Sequence, residues 1–445
     1  MKINTLELTN VRGFTHAKLE FQPGFNLIVG INGVGKTTVL ESLRIVLSQI
    51  LPNITVSKNQ KDNFDEYDIQ IDKSNLVVDS KFTFLDKTFS AVIPKNKESI
   101  KTNESDDFRN NAFKLDDKVT IENYIPAGTV SDETIDFTKV DFYQFGKENL
   151  KNKNQPLGIY FSSHRSLMNQ EKPTKGQTAG GQASAYADAL NNKRQFTIRL
   201  YADWMLAQEA LAEEDLSIER KLSSIKNAIY TFIPEFSDLK VIKDHRGENN
   251  TFSVKKGEKE FSIQQLSDGE RSIITLVLDI ARRLTLANIA LENPLEGEAI
   301  VLIDELDLHL HPKWQRTIVS DLVRTFPNCQ FIATTHSPQI IGEVKAEAIT
   351  IIDRNQEAEV YKPNVAYGLD AQRVIEELLE APIRNIETQQ KLEEINDSVD
   401  KEQYEEAKSK IEELKSTLGE HDPELIRINS MIQFLEEDFD DEEDN

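Results

Sequence analysis

Short apolar runs along the chain predict a sheet whose strands are buried on both faces. These runs are residues 25–29, 157–161, 299–303 and 330–335. Other stretches alternate apolar and polar residues, which is typical of strands with one buried face. The alternation covers residues 3–8, 17–21 and 75–93, and the last of these predicts an antiparallel hairpin. Further strands are expected at residues 239–242, 252–254, 260–263 and 348–352.

Apolar residues at helical spacing predict helices in the rest of the chain. Residues 39–50 form the first helix, and residues 196–232 form a helical region inside an insertion. In the tail, an apolar stripe runs through residues 404–418 and 425–435, and the intervening Gly419 and Pro423 predict an antiparallel helical hairpin. The expected domains are a head at 1–163 and 238–365, a helical insertion at 164–237, a C-terminal helical segment at 366–435 and an acidic disordered tail at 436–445.

Composition describes a chain with a substantial apolar core. Of 445 residues, 38% are hydrophobic and 29% are charged, and no run approaches the roughly 18 apolar residues that a membrane span requires. Met1 leads directly into a strand pattern, so we expect no signal peptide and a cytoplasmic protein. The single cysteine, Cys329, excludes an internal disulfide and a multi-cysteine metal site.

Negative charge is concentrated at one end of the chain. The formal net charge is −24, and residues 370–445, with 8 basic and 25 acidic residues, carry −17 of it. The other 369 residues carry only −7. Because a nearly neutral body can still present a basic stripe, composition neither predicts nor excludes contact with DNA.

A glycine-rich loop follows the first buried run and opens the first helix. Residues 30–38 read GINGVGKTT, which contains the phosphate-binding pattern G-x-x-x-x-G-K-[ST]. In this context, backbone N–H groups and a helix N-terminus converge on one anion, which favours nucleotide binding over a simple tight turn. Lys36 is expected to reach the β- and γ-phosphates of the nucleotide, and the Thr37 hydroxyl to hold Mg²⁺. The predicted nucleotide-binding residues of the loop are Gly30, Asn32, Gly33, Gly35, Lys36, Thr37 and Thr38.

Acidic residues and a histidine follow two later buried runs. Asp304 and Glu305 come directly after residues 299–303, where Asp304 is placed to hold Mg²⁺ opposite Thr37. Glu305 is expected to polarise the attacking water, and His336, at the end of residues 330–335, to contact the γ-phosphate. Glu305 and His336 are therefore the predicted catalytic residues. Arg12, in a turn near the predicted phosphate loop, is either a nucleotide contact or a surface arginine.

A second candidate anion pocket lies in residues 266–271, before a strongly apolar helix. Ser267 and Gly269 at a helix N-terminus suit an anion, although they are also ordinary capping residues. His309 and His311 are interpreted as structural, because no acid or cysteine set completes a metal site.

Taken in this order, these elements resemble the ABC-type ATPase head shared by RecF, SMC and OLD-like proteins. Residues 30–37 look like the Walker A motif, 266–271 like the signature motif, 300–305 like Walker B, Asp307 like the D-loop and His336 like the switch histidine. The resemblance implies an α/β P-loop fold with a mixed central sheet, an antiparallel β-subdomain, a short helical insertion and a C-terminal helical hairpin. It also implies that two heads sandwich two nucleotides, with Ser267, Gly269 and Glu270 acting in trans. Asp268 stands where transporters usually have glycine, and Gln70 is the candidate Q-loop residue.

The tail is similar to that of one group within this class. It lacks the strands and spaced carboxylates of the nuclease domain that OLD-like proteins append, and the sequence contains no HNH-type histidine cluster. The break at residues 367–370, followed by apolar residues at 374–379, resembles the tail of PtuA, the ATPase of Septu antiphage systems and some retrons. That resemblance implies a homo-oligomer bound to PtuB, an HNH endonuclease, with nucleotide state controlling cleavage of DNA or RNA. In retrons, a reverse transcriptase and its RNA–DNA product join the complex.

Three functions are left open by the sequence. The first is an ATPase subunit of an antiviral defence complex with no nuclease activity of its own, which co-purification with a small HNH protein would support. The second is a RecF-like repair ATPase that binds duplex DNA in the presence of ATP. The third is a scaffold that ATP locks together with little turnover. A transporter subunit is disfavoured, because the stretch between Lys36 and Ser267 is long and no means of coupling to a membrane partner is visible.

Overall fold

The computed structural model describes residues 1–58, 61–97, 120–123, 151–163, 167–168, 181–194, 196–354 and 358–443. Its strands are β1 (Lys2–Val11), β2 (Phe14–Glu20), β3 (Phe25–Val29), β4 (Asn75–Phe84), β5 (Lys87–Asn96), β6 (Thr120–Asn123), β7 (Leu157–Phe161), β8 (Leu167–Met168), β9 (Phe196–Thr197), β10 (Phe236–Lys243), β11 (Asn250–Lys256), β12 (Lys259–Ser262), β13 (Ala299–Ile303), β14 (Gln330–Thr335), β15 (Ile349–Arg354) and β16 (Ala358–Tyr361). Its α-helices are α1 (Lys36–Ile54), α2 (Ile198–Ala212), α3 (Leu216–Phe232), α4 (Asp268–Ala287), α5 (Pro312–Gln315), α6 (Ile318–Thr325), α7 (Pro338–Ile341), α8 (Ala371–Glu377), α9 (Ile386–Asp400), α10 (Tyr404–Leu418) and α11 (Pro423–Glu443). Within these residues, every helix is too short or too polar to cross a membrane.

The four short apolar runs lie side by side in one mixed sheet. Its strand order is β16-β15-β3-β14-β13-β7, and all neighbours pair in parallel except β16, which is antiparallel to β15. Every residue of β3, β7, β13 and β14 is buried, as expected for strands covered on both faces. Because these strands are parallel, their carboxyl ends lie along the same edge of the sheet. This arrangement confirms the predicted α/β fold with a mixed central sheet.

The predicted half-buried strands form a separate antiparallel sheet with the order β2-β1-β4-β5-β6. The hairpin expected over residues 75–93 is β4 and β5, joined by Leu85 and Asp86, which both have positive φ. Such backbone angles match the right-handed twist of the flanking strands. Helix α1 packs on β4 and β5 as well as on the parallel sheet. The helix that follows the glycine loop is therefore held between the two sheets.

The helices predicted for the insertion are α2 and α3. They pack on each other and on α4, and α2 also contacts β11 of a three-stranded sheet, β10-β11-β12. Contacts group residues Met1–Val374 into one compact unit, so these helices are not separated from the head. The start of the predicted insertion, at residues 164–166 and 169–180, lies outside the described residues.

Residues Ile375–Asn445 form a second compact unit built from helices. The predicted hairpin is α10 and α11, but α9 also packs on α10, so three helices rather than two enclose the apolar stripe. Their shared core consists of Leu392, Ile395, Val399, Ala407, Ile411, Leu414, Leu425, Ile428 and Ile432. Arg384 holds the start of α11 through hydrogen bonds of 2.8 and 2.9 Å to the carboxylate of Asp422.

The last helix is longer than the sequence predicts. Helix α11 continues to Glu443, into the acidic run at residues 436–445 that we expected to be disordered. Glutamate has a high intrinsic helix propensity, which offsets the electrostatic repulsion between acidic side chains three or four residues apart in this helix. The disorder expected from residue 436 onward stays a prediction, and residues 444–445 lie outside the described range.

Two isoleucines on α11 offer a matched test of the three-helix core. Ile428 is completely buried, whereas Ile426, two residues earlier, is 49% exposed. Replacing Ile428 with alanine should cost about 2–5 kcal/mol through lost burial and a cavity. We expect faster amide hydrogen exchange, measured by mass spectrometry, in peptides from α9, α10 and α11 of the Ile428→Ala variant. Ile426→Ala should exchange like the wild-type protein, and equal exchange in the two variants would contradict this core.

Candidate nucleotide site

Loops that carry the predicted site residues leave the parallel sheet at its carboxyl edge. The glycine loop follows β3, Asp304 and Glu305 follow β13, and His336 follows β14. These strands are neighbours or next neighbours in the sheet, with β14 paired to both of the others. Residues more than 250 positions apart in the sequence are thus brought to one place.

Glycines shape the phosphate-binding loop. Gly30, Gly33 and Gly35 have φ values of 154°, 80° and 120°, which residues with a side chain resist. A Cβ atom on Gly35 would lie 2.6 Å from the ring of Phe14, and one on Gly30 would collide with the carbonyl oxygen of Ile352. Helix α1 starts at Lys36 with Gly35 as its N-cap, so no side chain caps its first N–H groups. This backbone suits an anion at the helix N-terminus.

Lys36 lies folded against its own loop. Its Nζ atom donates hydrogen bonds to the carbonyl oxygens of Gly30 and Ile31, at 2.8 and 2.9 Å. Burial lowers the pKa of the Lys36 ammonium to about 8, although the negative charges of Asp304, Glu305 and Asp307 oppose this shift. Of the other loop residues, Asn32 is exposed and Thr38 is buried in the first turn of α1.

Asp304 and Thr37 form an oxygen-rich pair suited to a hard cation. The Thr37 hydroxyl lies 3.1 and 3.3 Å from the two carboxylate oxygens of Asp304. Mg²⁺ prefers oxygen ligands and usually takes only one or two from protein, with water and phosphate oxygens completing its shell. The residues present therefore fit Mg²⁺ bound together with a nucleotide. No cluster of three or more histidine, cysteine or acidic side chains suits a metal elsewhere in the described part of the chain.

Thr334, at the end of β14, holds the Walker B loop in place. Its hydroxyl donates to Asp304 Oδ1 at 2.7 Å and accepts a hydrogen bond from the Glu305 N–H at 2.8 Å. The backbone of Glu305 has φ 50°, a conformation that persists only where surrounding contacts stabilise it. One buried hydroxyl thus fixes both the predicted metal ligand and the backbone of the neighbouring glutamate.

Asp307 connects the same loop to His336. Asp307 Oδ1 accepts hydrogen bonds from the Thr335 hydroxyl and, at 3.3 Å, from the backbone N–H of His336. Partial burial and the positive charge of Lys36 lower the pKa of the His336 imidazole, which favours the neutral form of the ring. The described contacts place His336, Lys36 and the Walker B acids within one electrostatic environment.

The signature residues lie in a different cleft of the same chain. Ser267 caps α4 and forms a reciprocal capping box with Glu270, whose carboxylate accepts from the Ser267 N–H and hydroxyl at 2.9 and 2.7 Å. Burial would raise the pKa of Glu270, but hydrogen bonds from Ser267 and Lys256 bring it below its usual value. A Cβ atom on Gly269 would lie 2.6 Å from the carbonyl oxygen of His309. Thus, Ser267, Gly269 and Glu270 line a cleft with Trp314, not the cleft of Thr37 and Asp304.

Arg12 lines the cleft that contains Thr37 and Asp304. Asp68 holds it there, since the Arg12 backbone N–H donates to the Asp68 carbonyl oxygen at 2.7 Å and the guanidinium lies 2.8 Å from Oδ1. Gln70, the candidate Q-loop residue, instead exchanges hydrogen bonds with the Thr15 hydroxyl at 3.2 and 3.4 Å. Gln70 does not line this cleft among the described residues.

Sequence reasoning missed Thr334, Thr335 and the cleft residues Glu41 and Tyr160. The sequence feature that could have identified the two threonines is their position at the end of a buried strand, because β14 pairs with β13 and Asp304 directly follows β13. Threonine is common in strands, so the residue type alone does not distinguish a positioning role from ordinary strand packing.

Comparisons with known proteins identify relatives of the chain. Residues 25–342 match the family model described as "AAA domain, putative AbiEii toxin, Type IV TA system". The chain is 28% identical to the "Retron Ec83 probable ATPase" of Escherichia coli, over 99% of this chain and 88% of that protein. It is also 28% identical to "Septu protein PtuA" of Bacillus thuringiensis, over 85% and 83% of the two chains. Among solved structures, the SMC head domain from Thermotoga maritima matches with a TM-score of 0.41 and 13% identity, over 82% of this chain and all of that one.

Thr334→Val tests the link between β14 and the Walker B loop. Valine keeps the shape of threonine but removes the hydroxyl that contacts Asp304 and Glu305. We expect ATP turnover at saturating ATP to fall by about 10–100-fold, as for other groups that orient metal ligands. Thr350→Val, on β15, changes another buried threonine in the same way and should leave turnover near wild type. Equal turnover in the two variants would show that Thr334 does not position the site.

Proposed function

This chain belongs to the AAA domain family described as putative AbiEii toxin, Type IV TA system, and we propose that it is the ATP-hydrolysing subunit of a retron- or Septu-type antiviral defence system. The observation that carries the proposal is the convergence of Thr37, Asp304, Glu305 and His336 at one edge of the parallel sheet. Similarity to retron and Septu ATPases over most of the chain supports the defence context. ATP with Mg²⁺ is the proposed substrate complex.

In the proposed mechanism, the glycine loop binds the phosphates of ATP. Backbone N–H groups of residues 30–38 and the Lys36 ammonium neutralise their negative charge, and Lys36 exchanges the carbonyls of Gly30 and Ile31 for phosphate oxygens. Thr37 and Asp304 would hold Mg²⁺, which supplies charge neutralisation at the β- and γ-phosphates. Arg12, which lines the same cleft as Thr37, would add a further positive charge.

Glu305 and His336 are the proposed catalytic residues. Glu305 orients and polarises the attacking water, and its backbone, fixed by Thr334, sets the direction of its carboxylate. The neutral His336 ring donates one hydrogen bond to the γ-phosphate, and the contact between its backbone and Asp307 holds it in position. Phosphoryl transfer depends chiefly on such positioning and on charge stabilisation.

We further propose that two heads associate through bound ATP. In one chain, Ser267, Gly269 and Glu270 line a cleft separate from that of Thr37 and Asp304. In a head-to-head dimer, each signature cleft would meet the nucleotide held by the partner subunit. The γ-phosphate would then face two helix N-termini, that of α1 in one subunit and that of α4 in its partner, and both stabilise negative charge. Asp307 would lie at the dimer interface.

Glu305→Gln is the central test of ATPase function. The amide cannot polarise water as a carboxylate does, so hydrolysis should fall by about 10²–10⁴-fold while ATP still binds. We expect the wild-type protein to hydrolyse ATP, and the variant with MgATP to accumulate as a larger assembly in mass photometry. The control is Glu292→Gln, because Glu292 is exposed and lines neither of the two clefts. Unchanged turnover in Glu305→Gln would remove Glu305 from the mechanism, and negligible turnover in the wild type would favour a nucleotide-locked scaffold.

The proposed complex also contains a nuclease of the HNH type, similar to PtuB. In a retron, a reverse transcriptase and its RNA–DNA product would join this complex. We expect co-expression of the chain with an HNH protein encoded beside it to yield one complex on size exclusion. Nuclease activity of that complex should differ between wild type and Glu305→Gln. A chain that remains monomeric, ignores the HNH protein and binds duplex DNA only with ATP would instead establish a RecF-like role.

A further inference from the structure

Residues 181–194, which we call the bridging segment, connect helix α1 to helix α4. On the α1 side, Arg44 Nη1 donates to the carbonyl oxygen of Leu190 at 3.2 Å. On the α4 side, Arg283 Nη1 donates to the carbonyl oxygens of Ala185 and Ala187 at 2.6 and 2.9 Å. Between these points, the N–H of Tyr160 on β7 donates to the Ala189 carbonyl oxygen at 2.8 Å. The bridging segment is thus held by the nucleotide-binding half of the head and by the helix that starts at the signature motif.

Arg194, at the end of the bridging segment, makes the most direct connection. It is 7% exposed, and its Nη1 atom lies 2.9 Å from Oδ2 of Asp279 in the middle of α4. Its Nη2 atom donates to the carbonyl oxygen of Tyr160 at 3.3 Å. The guanidinium also lies over the rings of Phe161 and Phe196, 5.0 and 4.4 Å from their centroids. One side chain therefore contacts both α4 and the carboxyl end of β7.

The end of β7 leads directly to the Walker B acid. The carbonyl oxygen of Phe161 accepts a hydrogen bond from the backbone N–H of Asp304 at 2.8 Å, and the Asp304 carboxylate contacts the Thr37 hydroxyl. Arg194 itself lines the cleft that contains Thr37 and Asp304. A continuous series of contacts thus runs from the predicted Mg²⁺ ligands through β7 and Arg194 to Asp279.

Charge balance around Asp279 does not require Arg194. Asp279 is completely buried, and its carboxylate also accepts hydrogen bonds from Arg283 Nε, at 3.0 Å to each oxygen, and from the Tyr201 hydroxyl at 2.9 Å. Two guanidinium groups therefore share one carboxylate. Breaking a buried ion pair is strongly destabilising when it leaves a charge without a partner. Removal of Arg194 would leave Asp279 paired with Arg283, so we expect only a small loss of stability.

We propose that Arg194 is a positioning residue that couples occupancy of the nucleotide cleft to the position of α4, and hence to the signature residues at its N-terminus. This inference rests on the proposed ATPase function. Asp279 is 12 residues beyond Ser267, or roughly 18 Å along the helix, so a displacement at Asp279 moves the signature end of a rigid helix. Contiguity alone does not demonstrate coupling, which has to be measured through its effect on both sites.

The test compares Arg194→Met with the wild-type protein. Methionine fills much of the arginine volume and packs well on aromatic rings, but it cannot bind Asp279 or the Tyr160 carbonyl. In the wild type, MgATP should slow hydrogen exchange in peptides from α4. In Arg194→Met, this ATP-dependent change should disappear and kcat should fall by about 10–100-fold, as for other orienting groups. The Michaelis constant for ATP and the melting temperature of the protein without nucleotide should stay close to wild type.

Controls separate coupling from a merely structural role. Arg282, also on α4, has a buried guanidinium that lies over the ring of Trp204. The Arg282→Met variant removes this group and should still show slower hydrogen exchange in α4 when MgATP is added. If Arg194→Met fails to fold, Arg194→Lys keeps the charge but cannot reach both partners, and it should show the same loss of coupling. If the folded Arg194 variants show the same ATP-dependent slowing of exchange in α4 as the wild type, the inference about Arg194 is wrong, but the proposed ATPase function is unaffected. Failure of the wild-type protein to bind ATP overturns both the inference and the proposed function.

Discussion

The parallel pairing of β3, β14 and β13 is the constraint on which the candidate site depends. In this register, Val29 lies beside Thr335, and Ala333 lies beside Ile303. The glycine loop and His336 consequently leave the sheet at the same level, and the Walker B acids leave it two residues earlier along β14. The offset between neighbouring strands along their axes decides which residues lie beside one another at this edge. A shift of one residue would displace Asp304 from Thr37 by about 3.3 Å, too far for a shared cation.

Several groups with proposed roles in nucleotide binding already have partners within the chain. Lys36 donates to loop carbonyls, the Thr37 hydroxyl lies against Asp304, and the Ser267 hydroxyl donates to Glu270. Binding of ATP would therefore exchange hydrogen bonds rather than order free side chains. This lowers the entropic cost of association, because the rotamers are already restricted. It also places the donors before charge develops in the transition state, which is the condition for effective electrostatic catalysis.

Sequence and structure agree best where a local pattern carries the information. The positions of the glycine loop, the buried strands and the paired acids after β13 could be predicted because each pattern is contiguous in the sequence. Thr334 was missed because a threonine in a strand is ordinary, and its role depends on the neighbouring strand. The contact between Arg194 and Asp279 joins residues 85 positions apart and has no sequence signature. Helix α9 was missed as part of the C-terminal core because its apolar residues, Leu392, Ile395 and Val399, are few and separated by charged residues.

Helices α2 and α3 connect to the rest of the head through α4. Both pack on α4, so they contact the helix that starts at the signature residues. On its other side, α4 contacts β7, and β7 also contacts α1. The edge strand β7 therefore lies between the helix that starts at the phosphate loop and the helix that starts at the signature motif. Gly158 permits this close packing, because a Cβ atom there would lie 2.8 Å from a methyl group of Leu51 on α1. If Arg194 couples the two sites as proposed, tight packing on both sides would let β7 pass small displacements between these helices, and the bridging segment would be a second connection in parallel.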